Sequence, residues 1–423
     1  MKRIWRFTVL CLSVLTLFSG CGTLPVSKSK GIQKSEAAFT PQSIRTLTPE
    51  LENSISASSR LGYDLMQVFA KGENTLISPI SLSFALAMLL NGAEGETLDG
   101  ILKVMGESSV EGLNTRYNGL LSSLTKSGDT SDDKSLTVLL GNSFWIRELL
   151  EPKQDFVDTL VKNYDAEVYK SDFSDPKTVD QINKWVEDKT NGLLKDTLDS
   201  ISGETIAYLM NTVYFNGAWL YAYSPEATYD DSFYPIEGGA QSVKMMHQTR
   251  HLDYYEDDSV QVAAFPYHGG MTMKVVLPKE DLMSLMRDTS FETLESWLGA
   301  TGETNARLYV SMPKFEYDVK NSLSEPLKAL GMSLAFEPFR ADFSSMVDIA
   351  LQNVYVSDIF QNCKIINDEK GTEAAAVTVV EMVVTSAPVE VTPIDFNCNK
   401  PFLYVIEEDV TGAILFMGAV FKP

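Results

Sequence analysis

The chain is predicted to form one large domain of mixed α/β class, and four stretches predict it. Residues 74–93 (NTLISPISLSFALAMLLNGA) run from Ser78–Pro79, a helix start, to Gly92, a stop. The helix between them is apolar nearly all round, so it belongs inside a core. Residues 136–146 are a strongly apolar strand candidate, and residues 400–423 set two apolar runs either side of an acidic, glycine-containing turn, which predicts a buried hairpin. Residues 372–384 alternate. Thr372, Ala374, Ala376, Thr378, Val380, Met382 and Val384 make an uncharged face, and the acids Glu373 and Glu381 fall on the other.

In chain order, residues 1–20 read as a secretory signal, with Lys2, Arg3 and Arg6 ahead of an apolar stretch over 7–18 that is too short to span a bilayer. The stretch ends at Gly20-Cys21, which resembles a bacterial lipobox, so Cys21 is the expected lipidation site despite the less usual Phe18. Gly22 rather than Asp after it favours the outer membrane or cell surface. Residues 21–52, rich in Ser, Thr, Lys and Gln, read as a flexible tether, and residues 53–423 as the folded domain. Losing residues 1–20 takes net charge from −22 to −25, which argues against nucleic acid as a partner. Four cysteines make no disulfide framework. Cys363 and Cys398 are the two within the domain, and the sequence does not say whether they pair. The next helix candidate presents Leu61, Leu65, Val68 and Phe69 on one face.

Catalytic constellations are absent from the sequence. There are three histidines, and no H-E-x-x-H, nucleophile elbow, P-loop or C-x-x-C pattern. His247 and His251 are four apart, a metal spacing on a helix, but Tyr254, Tyr255 and the residues around them predict a strand. No metal or cofactor is expected, and an enzyme is not.

The stretch 368–391, DEKGTEAAAVTVVEMVVTSAPVEV, resembles the hinge and reactive-centre loop of the serpins, the serine-protease-inhibitor family. Glu369, Gly371, Thr372, Glu373, Ala374, Ala375, Ala376 and Thr378 match an E-x-G-T-E-A-A-A-x-T hinge. NTVYFNGAW at 211–219, MPKFEYD at 312–318, LKALGMSLAF at 327–336 and ADFS at 341–344 resemble further family signatures, so the likeness covers about residues 53–423. It implies a large central β-sheet with two further sheets, eight to nine helices and an exposed reactive-centre loop at about 369–395. Ser78, Ser81 and Asn211 would form the shutter and Trp219 the breach where the loop enters. The family's usual shutter histidine is replaced by Gln361, which implies gating without histidine-linked pH sensitivity.

The resemblance implies a suicide-substrate inhibitor whose loop is cut and then inserts into the sheet. Counting from the hinge places the reactive bond at Thr385–Ser386, and counting back from Phe396 places it nearer Glu390. The uncharged Thr385 after Val383 and Val384 predicts elastase-like targets, then subtilisin-like serine and papain-like cysteine proteases. The helix region that is basic in heparin-binding members offers only Lys103, Arg116, Lys126 and Lys134, so heparin is not expected. A monomer is. The alternative is a non-inhibitory serpin acting as a binding or chaperone module.

Overall fold

The computed structural model describes residues 37–44, 46–127, 135–203, 205–348, 354–372 and 392–423. Its helices are α1 (Pro49–Phe69), α2 (Pro79–Leu90), α3 (Gly95–Met105), α4 (Leu113–Ser127), α5 (Gln154–Tyr164), α6 (Lys177–Lys189), α7 (Leu282–Asp288), α8 (Phe291–Ala300) and the single turn α9 (Ser324–Leu327). Its strands are β1 (Thr75–Ile77), β2 (Leu136–Arg147), β3 (Glu167–Ser171), β4 (Ala207–Ala218), β5 (Thr228–Phe233), β6 (Gln241–Glu256), β7 (Val260–Pro266), β8 (Met271–Pro278), β9 (Thr304–Pro313), β10 (Phe315–Ser322), β11 (Phe360–Asn367), β12 (Gly371–Thr372), β13 (Ile394–Asn397), β14 (Phe402–Glu408) and β15 (Ile414–Val420).

Helix α2 explains the architecture. It packs on β4 of one sheet and β15 of the other, so both sides meet apolar surface and no polar face is needed. Helix α1 begins at Pro49 because the Thr48 hydroxyl accepts from the Leu51 amide. The tether therefore ends earlier than residue 52. Phe39, Ile44 and Leu47 already pack against the core, and the Asn118 side chain accepts from the Gln42 amide and donates to the Thr40 carbonyl. Within α1, Leu61 and Leu65 are buried as expected but Val68 is exposed. The buried face runs instead through Leu51, Ile55, Ser58, Gly62 and Met66, where α2 lies close enough to be felt by any Cβ at Gly62.

One sheet has six strands in the order β10-β11-β12-β4-β2-β3. The other has nine, β1-β15-β14-β8-β7-β6-β9-β13 with β5 also on β6. The two smaller sheets expected from the resemblance are thus hydrogen-bonded into one, because the sixteen-residue β6 runs through both. The C-terminal hairpin forms as β14 and β15, with a bulge at Ile406/Glu407 where Glu407 meets Lys274 of β8 in a nearly buried ion pair.

Candidate functional site: a strand-wide cleft in the six-stranded sheet

Strand β12 is two residues long and enters between β4 and β11 at one end of the sheet. Gly371 faces Ala218, and Thr372 faces Gly217 on one side and Asn367 on the other. The Thr372 side chain is buried, and its hydroxyl lies 2.6 Å from that of Tyr267. Tyr267 is stacked on Trp219 at 4.3 Å and meets Phe215 edge-on at 5.0 Å, and burial holds its phenol well above the ordinary range. Asn216-Gly217, readable as a turn, instead continues β4. A Cβ on Gly217 would sit 2.5 Å from the Phe215 ring and 3.0 Å from that of Tyr267, so the close approach requires glycine.

The lead-in to β12 is clamped from several sides. Trp219 donates its indole N–H to the Asp368 carbonyl at 3.0 Å and its amide to the Lys370 carbonyl at 2.8 Å. The Tyr223 amide donates to the Glu369 carbonyl, also at 2.8 Å. Burial raises the Glu369 carboxyl, but the Lys314 ammonium at 2.6 Å, a backbone hydrogen bond and Thr228 together outweigh it and hold the group below its usual value.

Below Thr372 no strand among the described residues fills the space between β4 and β11. β4 and β11 share no hydrogen-bonded register among the described residues, and between them lies a cavity of about 100 Å³. Leu86 and Leu89 of α2 floor it with Phe144, and Phe343, Met346 and Val356 line it farther along. Three buried polar atoms of this region, Ser78 Oγ, Thr212 Oγ1 and Asn362 Oδ1, have no hydrogen-bond partner among the described residues. Such groups cost about 1–3 kcal/mol each when left unpaired.

Across the middle of the slot, Ser81 Oγ donates to Asn211 Oδ1, and Asn211 donates to Asn142, which donates to the Tyr164 carbonyl. From the other wall, Gln361 Oε1 accepts from the Ser78 amide and Gln361 Nε2 donates to the Ser78 carbonyl, both at 2.9 Å. Gln361 therefore grips backbone rather than the Ser81 or Asn211 side chains. Ser78 does precede the first residue of α2, yet its hydroxyl makes no capping bond.

Glu369, Gly371 and Thr372 thus converge with Trp219 at the head of the cleft, and Ser78, Ser81, Asn211 and Gln361 at its middle. Glu373, Ala374, Ala375, Ala376, Thr378, Thr385, Ser386 and Cys21 lie outside the described residues. Sequence reasoning missed Tyr267, Asn142 and Lys314, whose partners are distant in the chain and leave no local signal. His247 and His251 both lie on β6. His247 is buried between Tyr229, stacked at 4.2 Å, and Tyr309. Cys363 and Cys398 are free, buried thiols, and burial pushes Cys363 up to about 12.

Residues 56–423 match the family model described as Serpin (serine protease inhibitor). Serpin-Z2B of Triticum aestivum is 32% identical over 395 residues, covering 89% of this chain and 98% of that protein. The native-state crystal structure of tengpin, a thermophilic serpin, matches with a TM-score of 0.81 at 28% identity, over 91% of this chain and 97% of that one. The latent state of tengpin matches with a TM-score of 0.74 at 27% identity, over 89% and 98%. A match of that extent, carried by the cleft and by two sheets sharing α2, means that the chain belongs to the serpin family, whose members are in general protease inhibitors rather than enzymes.

Proposed function

We propose that this serpin traps its target protease covalently, by inserting its own cut loop into the cleft between β4 and β11. The observation that carries this reading is a slot whose head is filled by Gly371 and Thr372 and whose further length is bridged by no strand among the described residues. On insertion in the same register, Thr378 would come opposite Asn211 on the β4 side and opposite Gln361 on the β11 side, a single rung. Residues 377–383 then run beside residues 212–206, the β4 wall of the cavity, and the uncharged face supplies Thr378, Val380 and Met382 to it.

The protease nucleophile attacks the carbonyl carbon of Thr385, the Thr385–Ser386 peptide bond breaks, and the Ser386 amine leaves with a proton. Thr385 stays esterified to the enzyme. Fourteen residues, 372–385, span about 45 Å as a strand, so insertion carries the attached protease the length of the sheet. Insertion satisfies strand hydrogen bonds on both walls, and distortion of the protease stops deacylation.

Thr385 suits a small apolar pocket, so pancreatic elastase is the first target to try, then subtilisin and papain. Each should give an SDS-stable complex and a C-terminal fragment beginning at Ser386. A cut loop with fully active protease in all three cases would favour the non-inhibitory binding or chaperone module instead, and a fragment beginning after Glu390 would move the bond. On location, residues 1–20 act as a signal and Cys21 as a lipid anchor to the outer membrane or cell surface. Cys21→Ser should release the protein from membranes and abolish fatty-acid labelling, and unchanged fractionation overturns the anchor.

A further inference from the structure

Of the three histidines only His247 is buried, at 7% exposure. Its ring is fixed in place. Tyr229 stacks on it at 4.2 Å and 10°, the Tyr309 ring lies 5.9 Å away, and Nδ1 is 3.2 Å from the Tyr309 hydroxyl. The other ring nitrogen, Nε2, is buried and has no hydrogen-bond partner among the described residues. A histidine that served packing alone would have both nitrogens satisfied, because a buried polar atom left unpaired is costly.

Nε2 faces Asp231, whose Oδ2 lies 3.9 Å away on a half-exposed side chain. Asp231 Oδ1 accepts from the Ser232 amide at 2.7 Å, and the adjacent Asp230 is paired with Lys244 at 3.0 Å. A separation of 3.9 Å is too long for a hydrogen bond. It is what two bonds of about 2.0–2.2 Å span when they bend at a shared atom, and those are the bond lengths of zinc to imidazole nitrogen and carboxylate oxygen. A neutral ring that donates Nδ1–H to the Tyr309 oxygen carries its lone pair on Nε2, and an outer hydrogen bond of that kind is what sets the tautomer of metal-bound histidines.

We propose that His247 Nε2 and Asp231 Oδ2 together bind one divalent transition cation of the zinc class, with water in its remaining positions. One imidazole nitrogen with one carboxylate oxygen suits such an ion better than calcium or magnesium, which take oxygen ligands. The half-exposed Asp231 leaves a way in from solvent, and a net charge of −22 concentrates cations at the surface. Asp231 lies on β5, which pairs only with β6 among the described strands, and His247 lies on β6. The bound ion therefore pins the outer strand β5 to the sheet. His251, four residues along β6, is exposed and takes no part. This reading is independent of the inhibitory one.

The test is equilibrium dialysis and calorimetry of the full chain with Zn²⁺, and with Ca²⁺ as control. Wild type should take up one Zn²⁺ in the micromolar range, and its melting midpoint should rise with Zn²⁺. Asp231→Asn, at a half-exposed position, and His247→Gln should each weaken the site tenfold or more, and in His247→Gln the rise in melting midpoint should vanish. Tyr309→Phe keeps both ligands but removes the oxygen that orients the ring, so affinity should drop by about tenfold. His251→Ala should bind as wild type does. No uptake of Zn²⁺ at millimolar concentration, uptake unchanged by Asp231→Asn, a loss as large in His251→Ala, or displacement of Zn²⁺ by equal Ca²⁺ overturns the site.

Discussion

The hydroxyls of Tyr267 and Thr372 lie 2.6 Å apart in a buried site, although 105 residues separate them in the chain. The hinge is therefore already seated in the intact molecule, with its first inward side chain bonded to the far sheet. Tyr267→Phe leaves the Thr372 hydroxyl buried and unpaired, which costs about 1–3 kcal/mol. The urea midpoint should fall accordingly, and clipping within residues 373–384 by a non-target protease should quicken. Unchanged stability and clipping would show that the bond does not hold the hinge.

Thr372→Arg puts a cation against Tyr267 and between two strands, in a buried site built for an uncharged side chain. The hinge should be expelled before cleavage, and insertion must then rebury the charge while deacylation competes. Elastase should still cut the loop, but the number of inhibitor molecules consumed per protease trapped should rise severalfold. Equal trapping by variant and wild type would sink the insertion account.

Gln361 both accepts from and donates to the Ser78 backbone, and an amide does so at any pH. A protonated imidazole has no acceptor, so in Gln361→His the folded state favours neutral histidine and binds fewer protons than the unfolded chain. Stability of the variant should fall as pH drops below about 6.5, the ordinary histidine value, relative to wild type. Superimposable stability curves from pH 5 to 8 would refute the assignment.

Glu369 is held below its usual carboxylate value, because Lys314 together with a backbone hydrogen bond and Thr228 outweighs burial. Its stabilising effect is present above the unfolded value of about 4.3 and lost as pH falls through the lower folded one. Glu369→Gln should therefore loosen the hinge at neutral pH and reproduce there what acid does to wild type. The fluorescence of Trp219, bonded to the neighbouring Asp368, reports it. No spectral difference at pH 7 would exclude a clamp by this pair.

Glu407 and Lys274 form an ion pair with little solvent, and burial raises the Glu407 carboxyl despite the lysine. Lys274→Met should destabilise by about 3–5 kcal/mol at pH 7. The loss should shrink as pH falls and Glu407 takes up a proton. The double change Lys274→Met with Glu407→Leu should recover most of it, and a double variant no better than the single one would show that the pair is not the source.

The sequence by itself determined the mixed class, the position of α2, the apolar β2 and the C-terminal hairpin. Each of these rests on local periodicity or on residues close together in the chain. Its resemblance to the family also marked Ser78, Ser81, Asn211 and Gln361 as a shutter and Trp219 as the breach where the loop enters. Only the tertiary structure decided that Thr372 is already seated under Tyr267, and that Gln361 grips the Ser78 backbone across 283 residues of chain. It likewise showed that the polar N-terminal stretch docks on Asn118, so that the fold begins before residue 53. These contacts join segments that share no period and no motif. Their partners are chosen by which strand lies beside which, and pairing of that kind is set by packing between the sheets and α2 rather than by any local run of residues.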